Sequence, residues 1–123
     1  FNQEIGNYQY KSNKLERVTE VLDSLDSIKK ELRLKLKKLT RQELVVFTTI
    51  YQLEEEGFTV DYQLISHKLS LTESSIRDYT QRIIKKGILI EKTKENNKKI
   101  LLNIPQEFKK LASLQTIIRL REL

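Results

Sequence analysis

The apolar positions of this chain keep changing their rhythm, and each change predicts a new element. From Leu15 they recur at alternating steps of three and four: Leu15, Val18, Leu22, Leu25, then Lys29, then Leu32, Leu36 and Leu39. This is a heptad seam, with Lys29 at one a position weakening it locally or setting its register. A lone helix has nothing to bury such a seam against. The expected partner is a second copy, which makes Leu15, Val18, Leu22, Leu25, Leu32, Leu36 and Leu39 the expected dimerisation residues. Packing along the chain's own C-terminal helix is the alternative. The residues ahead of the seam, FNQEIGNYQYKS, are polar and without period, and read as an arm.

The seam ends at TRQE. Thr40 and Glu43 fit a capping box, in which the hydroxyl accepts from a free N–H and the carboxylate reaches back. Leu39 and Leu44 are placed as a hydrophobic staple across it. A helix is therefore expected from Arg41, with Leu44, Phe47, Ile50, Tyr51 and Leu53 inward, stopping near Gly57 in a left-handed cap. Glu54, Glu55 and Glu56 sit at the end of that helix which disfavours acids. Phe58–Val60 reads as one short strand. Asp61 should cap a short helix to Leu69, followed by a tight turn at Ser70–Leu71. Thr72 should cap a third helix running to Lys86 and ending at Gly87. ILIEK (88–92) and KILLNI (99–104) read as strands around the turn TKENNK (93–98). Pro105 then opens a last helix, QEFKKLASLQTIIRLREL, with Phe108, Leu111, Leu114, Ile117, Ile118, Leu120 and Leu123 apolar.

Helix, short strand, helix, tight turn, helix, hairpin: with this order the chain resembles the winged helix-turn-helix family of the MarR-like type. The resemblance rests on LSLTESSIR (69–77) and RIIKKGILIEK (82–92). It covers residues 40–104, about half of the chain. It implies a DNA-binding fold that is mostly α with a small β-hairpin wing, here preceded by a long coiled-coil helix and followed by a C-terminal helix. The implied division is 1–39 for arm and dimerisation helix, 40–104 for the winged helix, and 105–123 for the last helix. The turn carries Ser70 where such turns often have Gly, which suits a turn that stays right-handed.

Helical spacing leads to the same helix independently. Ile76, Tyr79 and Ile83, with Ile84 beside them, should face the core. Glu73, Ser74, Ser75, Arg77, Asp78, Gln81, Arg82 and Lys85 are left outside. A helix of this width fits the major groove, where Ser74, Ser75 and Arg77 would meet base edges. Gln81 and Arg82 would lie near the backbone or deeper bases, Lys85 joins the DNA-binding set, and Thr72 with the helix N-terminus could hold a phosphate. Lys92, Lys94, Asn96, Asn97, Lys98 and Lys99 crowd the expected hairpin and would contact phosphates, making binding salt-sensitive. Glu73 and Asp78 oppose this reading. A first-turn acid suits the helix dipole, and Asp78 stands four residues before Arg82, so both also have a local explanation.

The charge distribution strengthens the expectation of a polyanion partner. Net charge is +6 over 123 residues. Residues 1–28 are net −2, 29–41 net +6, 42–57 net −4, 72–99 net +4 and 100–123 net +2, so the cations are blocked into two main segments. The block KKELRLKLKKLTR could add phosphate contacts, or simply complement a helix C-terminus.

Catalysis and metal binding find no support. Cysteine is absent and His67 is the only histidine, so no thiolate or multi-histidine set exists. The phosphate-cradling patterns GxxxxGK[ST] and GxGxxG are missing. Ser74–Ser75 has no histidine placed to activate it. No catalytic residue, metal or cofactor is expected. The apolar runs are too short for a membrane span, so the expectation is a cytoplasmic protein associated with the chromosome. The chain begins at Phe1, as a fragment would. The expected partners are double-stranded DNA and a second copy, in a dimeric transcriptional regulator. A winged-helix module docking onto protein in replication, repair or transcription is the other reading.

Overall fold

The computed structural model describes the backbone of residues 2–122 and the side chains of residues 14–119. Its order is α1 (Asn2–Lys37), α2 (Arg41–Glu55), α3 (Tyr62–Leu69), α4 (Glu73–Lys85), β1 (Glu91–Lys94), β2 (Ile100–Asn103), α5 (Gln106–Leu111) and α6 (Leu114–Glu122). The chain divides into two units, residues 1–32 and 33–123. The second is a winged helix: α2, α3 and α4 make the helix-turn-helix core, and the β1–β2 hairpin is the wing.

In the first unit α1 is helical from Asn2, through the stretch expected to be an arm. No proline interrupts that stretch and Gly6 is its one glycine, so the backbone can continue. The seam it carries is open at Leu15, Val18 and Leu22, which are 67%, 49% and 54% exposed.

The second unit starts with the last turns of α1. Leu36 and Leu39 are fully buried by their own chain and so are withdrawn from the expected dimer seam. The capping box then forms as expected: the Thr40 hydroxyl accepts from the Glu43 amide at 3.1 Å, and the Glu43 carboxylate accepts from the Thr40 amide at 2.8 Å. Glu43 is 1% exposed and carries a second load, an ion pair with Lys86 at the end of α4. Burial works to raise its carboxyl, but Lys86 and the Thr40 amide outweigh this and hold it below the usual range. The pair thus joins the start of α2 to the end of α4.

Gly57 and Gly87 both take φ near +90°, the left-handed caps of α2 and α4. In each, the residue after the glycine closes the turn, Phe58 N–H to the Leu53 carbonyl and Ile88 N–H to the Ile83 carbonyl. Ser70 also stands in the left-handed region, with φ 54° and ψ 42°. The helix-turn-helix corner is therefore not right-handed, contrary to expectation. The corner is held by the Leu71 N–H donating to the Ser66 carbonyl and the Ser66 hydroxyl donating to the Leu71 carbonyl. These two bonds across one corner offset the cost of placing serine there, about 1 kcal/mol.

The wing is narrower than the β-type runs suggested. β1 and β2 pair antiparallel from Glu91–Asn103 to Lys94–Ile100. Residues 88–90 are not in the strand. Ile88 and Ile90 drop into the core, and the next position of the partner strand that would face this stretch, beyond Asn103, is Pro105. Ile104 N–H donates to the Glu54 carboxylate at 2.6 Å, and Pro105 has no N–H. The expected strand at Phe58–Val60 shrinks to a single bridge, Asp61 with Leu101, plus Leu102 N–H to the Val60 carbonyl at 2.8 Å. Asp61 ends it by becoming the N-cap of α3, its carboxylate 2.7 Å from the Leu64 amide.

The last helix is two helices. Ala112 is extended, and its buried carbonyl accepts from the Tyr51 hydroxyl at 3.0 Å. Ser113 then caps α6, its hydroxyl 3.2 Å from the Thr116 amide. Ile117 is buried, Ile118 is exposed, and the side chains of Leu120 and Leu123 lie outside the described residues. The acidic end of α2 has partners here: Lys109 pairs with Glu54 at 3.3 Å and Glu55 at 3.7 Å. Glu54 thus satisfies a backbone amide and an ammonium at once, which outweighs its poor place in the helix dipole.

Candidate nucleic-acid interface

α4 spends its apolar stripe on its own core. Ile76, Thr80 and Ile83 are fully buried. Thr80 was not anticipated on that face; its hydroxyl is satisfied by the Ile76 carbonyl at 2.8 Å, which makes a buried threonine cheap. Tyr79, expected in the core, is only half buried, and the Arg82 guanidinium lies 5.8 Å from its ring centre. What remains outward on α4 is Ser74, Arg77, Gln81, Arg82 and Lys85, with Glu73 and Asp78 among them. Ser75 is half-buried and engaged in the cap. Thr72 accepts from the Ser75 amide at 3.1 Å and donates to the Ser75 hydroxyl at 2.8 Å, so these two are a local pair before they are anything else.

The wing is exposed along all of β1 and its turn, with Lys92, Lys94, Asn96, Asn97, Lys98 and Lys99 on the surface. The turn is closed by Lys98 N–H to the Glu95 carbonyl at 2.9 Å and Glu95 N–H to the Lys99 carbonyl at 2.8 Å. Asn97 accepts from the Lys99 amide at 3.1 Å, so its side chain serves the turn. Lys98 is left-handed, with φ 65°. For a lysine that costs about 1 kcal/mol, which Gly or Asn would largely avoid.

Lys99 is not a free cation. Its ammonium stands 2.8 Å from the Asp61 carboxylate, tying the wing to the cap of α3. Burial opposes the charge on Asp61, yet Lys99 and the Leu64 amide together hold its carboxyl below the usual range. The same contact raises the Lys99 ammonium. Beside the pair lies a cleft of about 200 Å³, lined by Asp61, Tyr62, Gln63, Glu73, Arg77, Lys98, Lys99 and Ile100. Arg77 enters it stacked on the Tyr62 ring, 5.1 Å from the centroid. Asp61, Tyr62 and Gln63 were not anticipated at this surface. The capping role of Asp61 was legible, but a contact within one helix turn carried no signal that the start of α3 stands beside the wing.

The seam of α1 is also broader than its a and d positions. Val21 and Ile28 are exposed, each one residue before a seam position and seven apart, a spacing visible in the sequence. His67 is exposed, and among the described residues no group of His, Cys, Asp and Glu could hold a metal ion. No helix among those residues is long and apolar enough to cross a membrane.

No family model and no curated protein matches this chain. Among solved structures it is similar to the YusO protein from Bacillus subtilis, with a TM-score of 0.51 and 15% sequence identity. That match covers 93% of this chain and 77% of that one. At such identity the likeness shows the fold alone: a mostly helical chain with a small two-stranded wing.

Proposed function

We infer that this protein binds double-stranded DNA through α4 and the wing, as a dimeric MarR-like winged-helix regulator of transcription. One observation carries the reading. α4 buries Ile76 and Ile83 at home and turns Arg77, Gln81, Arg82 and Lys85 outward, next to a wing whose Lys92, Lys94 and Lys98 are also exposed. Cations concentrated on a groove-sized helix and an adjacent hairpin suit a duplex, with α4 in the major groove and the wing on the backbone. The open seam of α1 at Leu15, Val18, Val21 and Leu22 supports pairing with a second copy, and two α4 helices related by a two-fold axis would prefer a palindromic site.

The protein-docking reading draws on Glu73 and Asp78, which are exposed on the same face of α4 and repel phosphates. A salt titration of duplex binding, with molar mass measured in solution, separates the two. DNA binding predicts a slope worth several phosphates and twice the chain mass. Absence of duplex binding at low salt would transfer the case to protein docking.

A further inference from the structure

The cleft between α4 and the wing has a composition that neither a base edge nor a small-molecule site explains well. Three cations and two carboxylates line it. Asp61 and Lys99 cancel as an ion pair at 2.8 Å. Glu73 offsets one of the remaining cations, Arg77 and Lys98, which leaves one net positive charge. At about 200 Å³ it is smaller than the roughly 300–1,000 Å³ of ordinary small-molecule pockets.

Arg77 is the second clue. A free arginine on a recognition helix can extend to the fork of a guanine, but this one lies on the ring of Tyr62, which is 5% exposed. Stacking on a fixed ring orients a guanidinium and reduces what is lost when it binds. Lys98 is the third. It holds a left-handed backbone conformation that disfavours L side chains, and it lines the cleft from the wing. Strain of this kind persists where the surrounding structure enforces it, and it clusters at binding sites.

We propose that this cleft seats one phosphodiester of the DNA backbone between Arg77 and Lys98, so that Arg77 sets the register of α4 and reads no base. A diester carries one negative charge, which matches the net charge of the lining; a terminal phosphate dianion would be overcharged for it. Lys99 contributes through Asp61 as a strut that holds the wing at the right distance, and Tyr62 is the platform for the guanidinium. The inference rests on the DNA-binding reading above and assigns roles within it.

The test uses the full chain and duplexes differing by single base pairs, titrated from 50 mM to 200 mM salt. Arg77→Ala should lower the slope of log affinity against log salt by about one, and weaken binding by a similar factor, on the order of tenfold, on every duplex. Lys98→Gly should lower the slope by the same amount while raising the unfolding midpoint, because it relaxes the turn; this arm holds even if loss of Arg77 disturbs Tyr62. Arg77→Lys should keep the slope. The assignment is overturned if Arg77→Ala erases discrimination at one base pair and leaves the slope unchanged, for then Arg77 reads a base. It is overturned in a different way if the unmodified protein binds no duplex at 50 mM salt, which removes the DNA reading itself. Inorganic phosphate at millimolar concentration should not compete; effective competition would mark the cleft as a site for free phosphate and would also overturn the assignment.

Discussion

α1 and α4 are both amphipathic helices, and they use their apolar faces in opposite ways. α4 covers Ile76 and Ile83 completely and presents cations and hydroxyls. α1, over the part that lies in the first unit, leaves Leu15, Val18, Val21 and Leu22 on the surface. A helix that has buried its stripe has only polar chemistry to offer a partner. A helix that has not still carries the driving force for association, about 25 cal/mol for each Å² of apolar surface it can remove from water. Under the function proposed above, this contrast would divide the labour between a polar surface for a polyanion and an apolar one for another helix.

The largest effect should come from breaking the covered face. Ile83→Ala is expected to cost about 3 kcal/mol, as large-to-small changes in a filled core do, read as a fall in the denaturant midpoint. The pair Val18→Ala with Leu22→Ala should leave the unfolding of the winged helix within about 0.5 kcal/mol and instead halve the molar mass in solution. Equal destabilisation by both changes would erase the distinction between the two helices.

Reversing charge on the polar face comes next. Arg77→Glu with Lys98→Glu should reduce duplex affinity by on the order of 100-fold at 0.1 M salt, with the mass in solution unchanged. The double mutant binding as well as the parent would mean that α4 and the wing face something else.

The smallest effect separates struts from contacts. Asp61→Asn keeps an effective helix cap but releases Lys99, so the salt slope should steepen by about one while stability falls slightly. It should also change the acid limb of stability. Glu43 and Asp61 are held below their ordinary carboxyl range in the fold. Their contribution is therefore present above about pH 4, near the unfolded values, and is lost as pH falls through the lower folded values. Lys99, raised by the same pairing, adds stability below about pH 10 that is lost as pH climbs through its folded value. Asp61→Asn should flatten both limbs, and chemical unfolding between pH 2 and pH 11 would reveal it.

Local chemistry made much of this legible in advance. A hydroxyl three residues before a glutamate identified the start of α2, Asp61 and Thr72 identified the caps of α3 and α4, and Gly57 and Gly87 identified helix ends. These are interactions between near neighbours, complete within a few residues of chain, so the residues alone determine them. The fold class followed from their order. The outward set on α4 followed from its period, apart from Ser75, which the cap draws in; the inward set lacked Thr80, whose hydroxyl is satisfied within its own helix and leaves no apolar mark in the pattern.

Tertiary contact decided the rest. The break at Ala112 exists because Tyr51, 61 residues earlier, takes its carbonyl. The amide of Ile104 goes to Glu54, 50 residues earlier in the chain, on the side of β2 that faces away from β1. Leu36 and Leu39 continue the heptad without a flaw, yet their own chain buries them, so periodicity could not say where the open seam stops. Lys99 read as a free surface cation, yet the Asp61 carboxylate stands 2.8 Å from it, and the guanidinium of Arg77 lies over the Tyr62 ring, a contact its place on α4 does not announce. In each case the outcome depended on which distant group won a donor, an acceptor or a buried place. Sequence spacing carries no information about that competition, because the competitors meet only when the chain has folded.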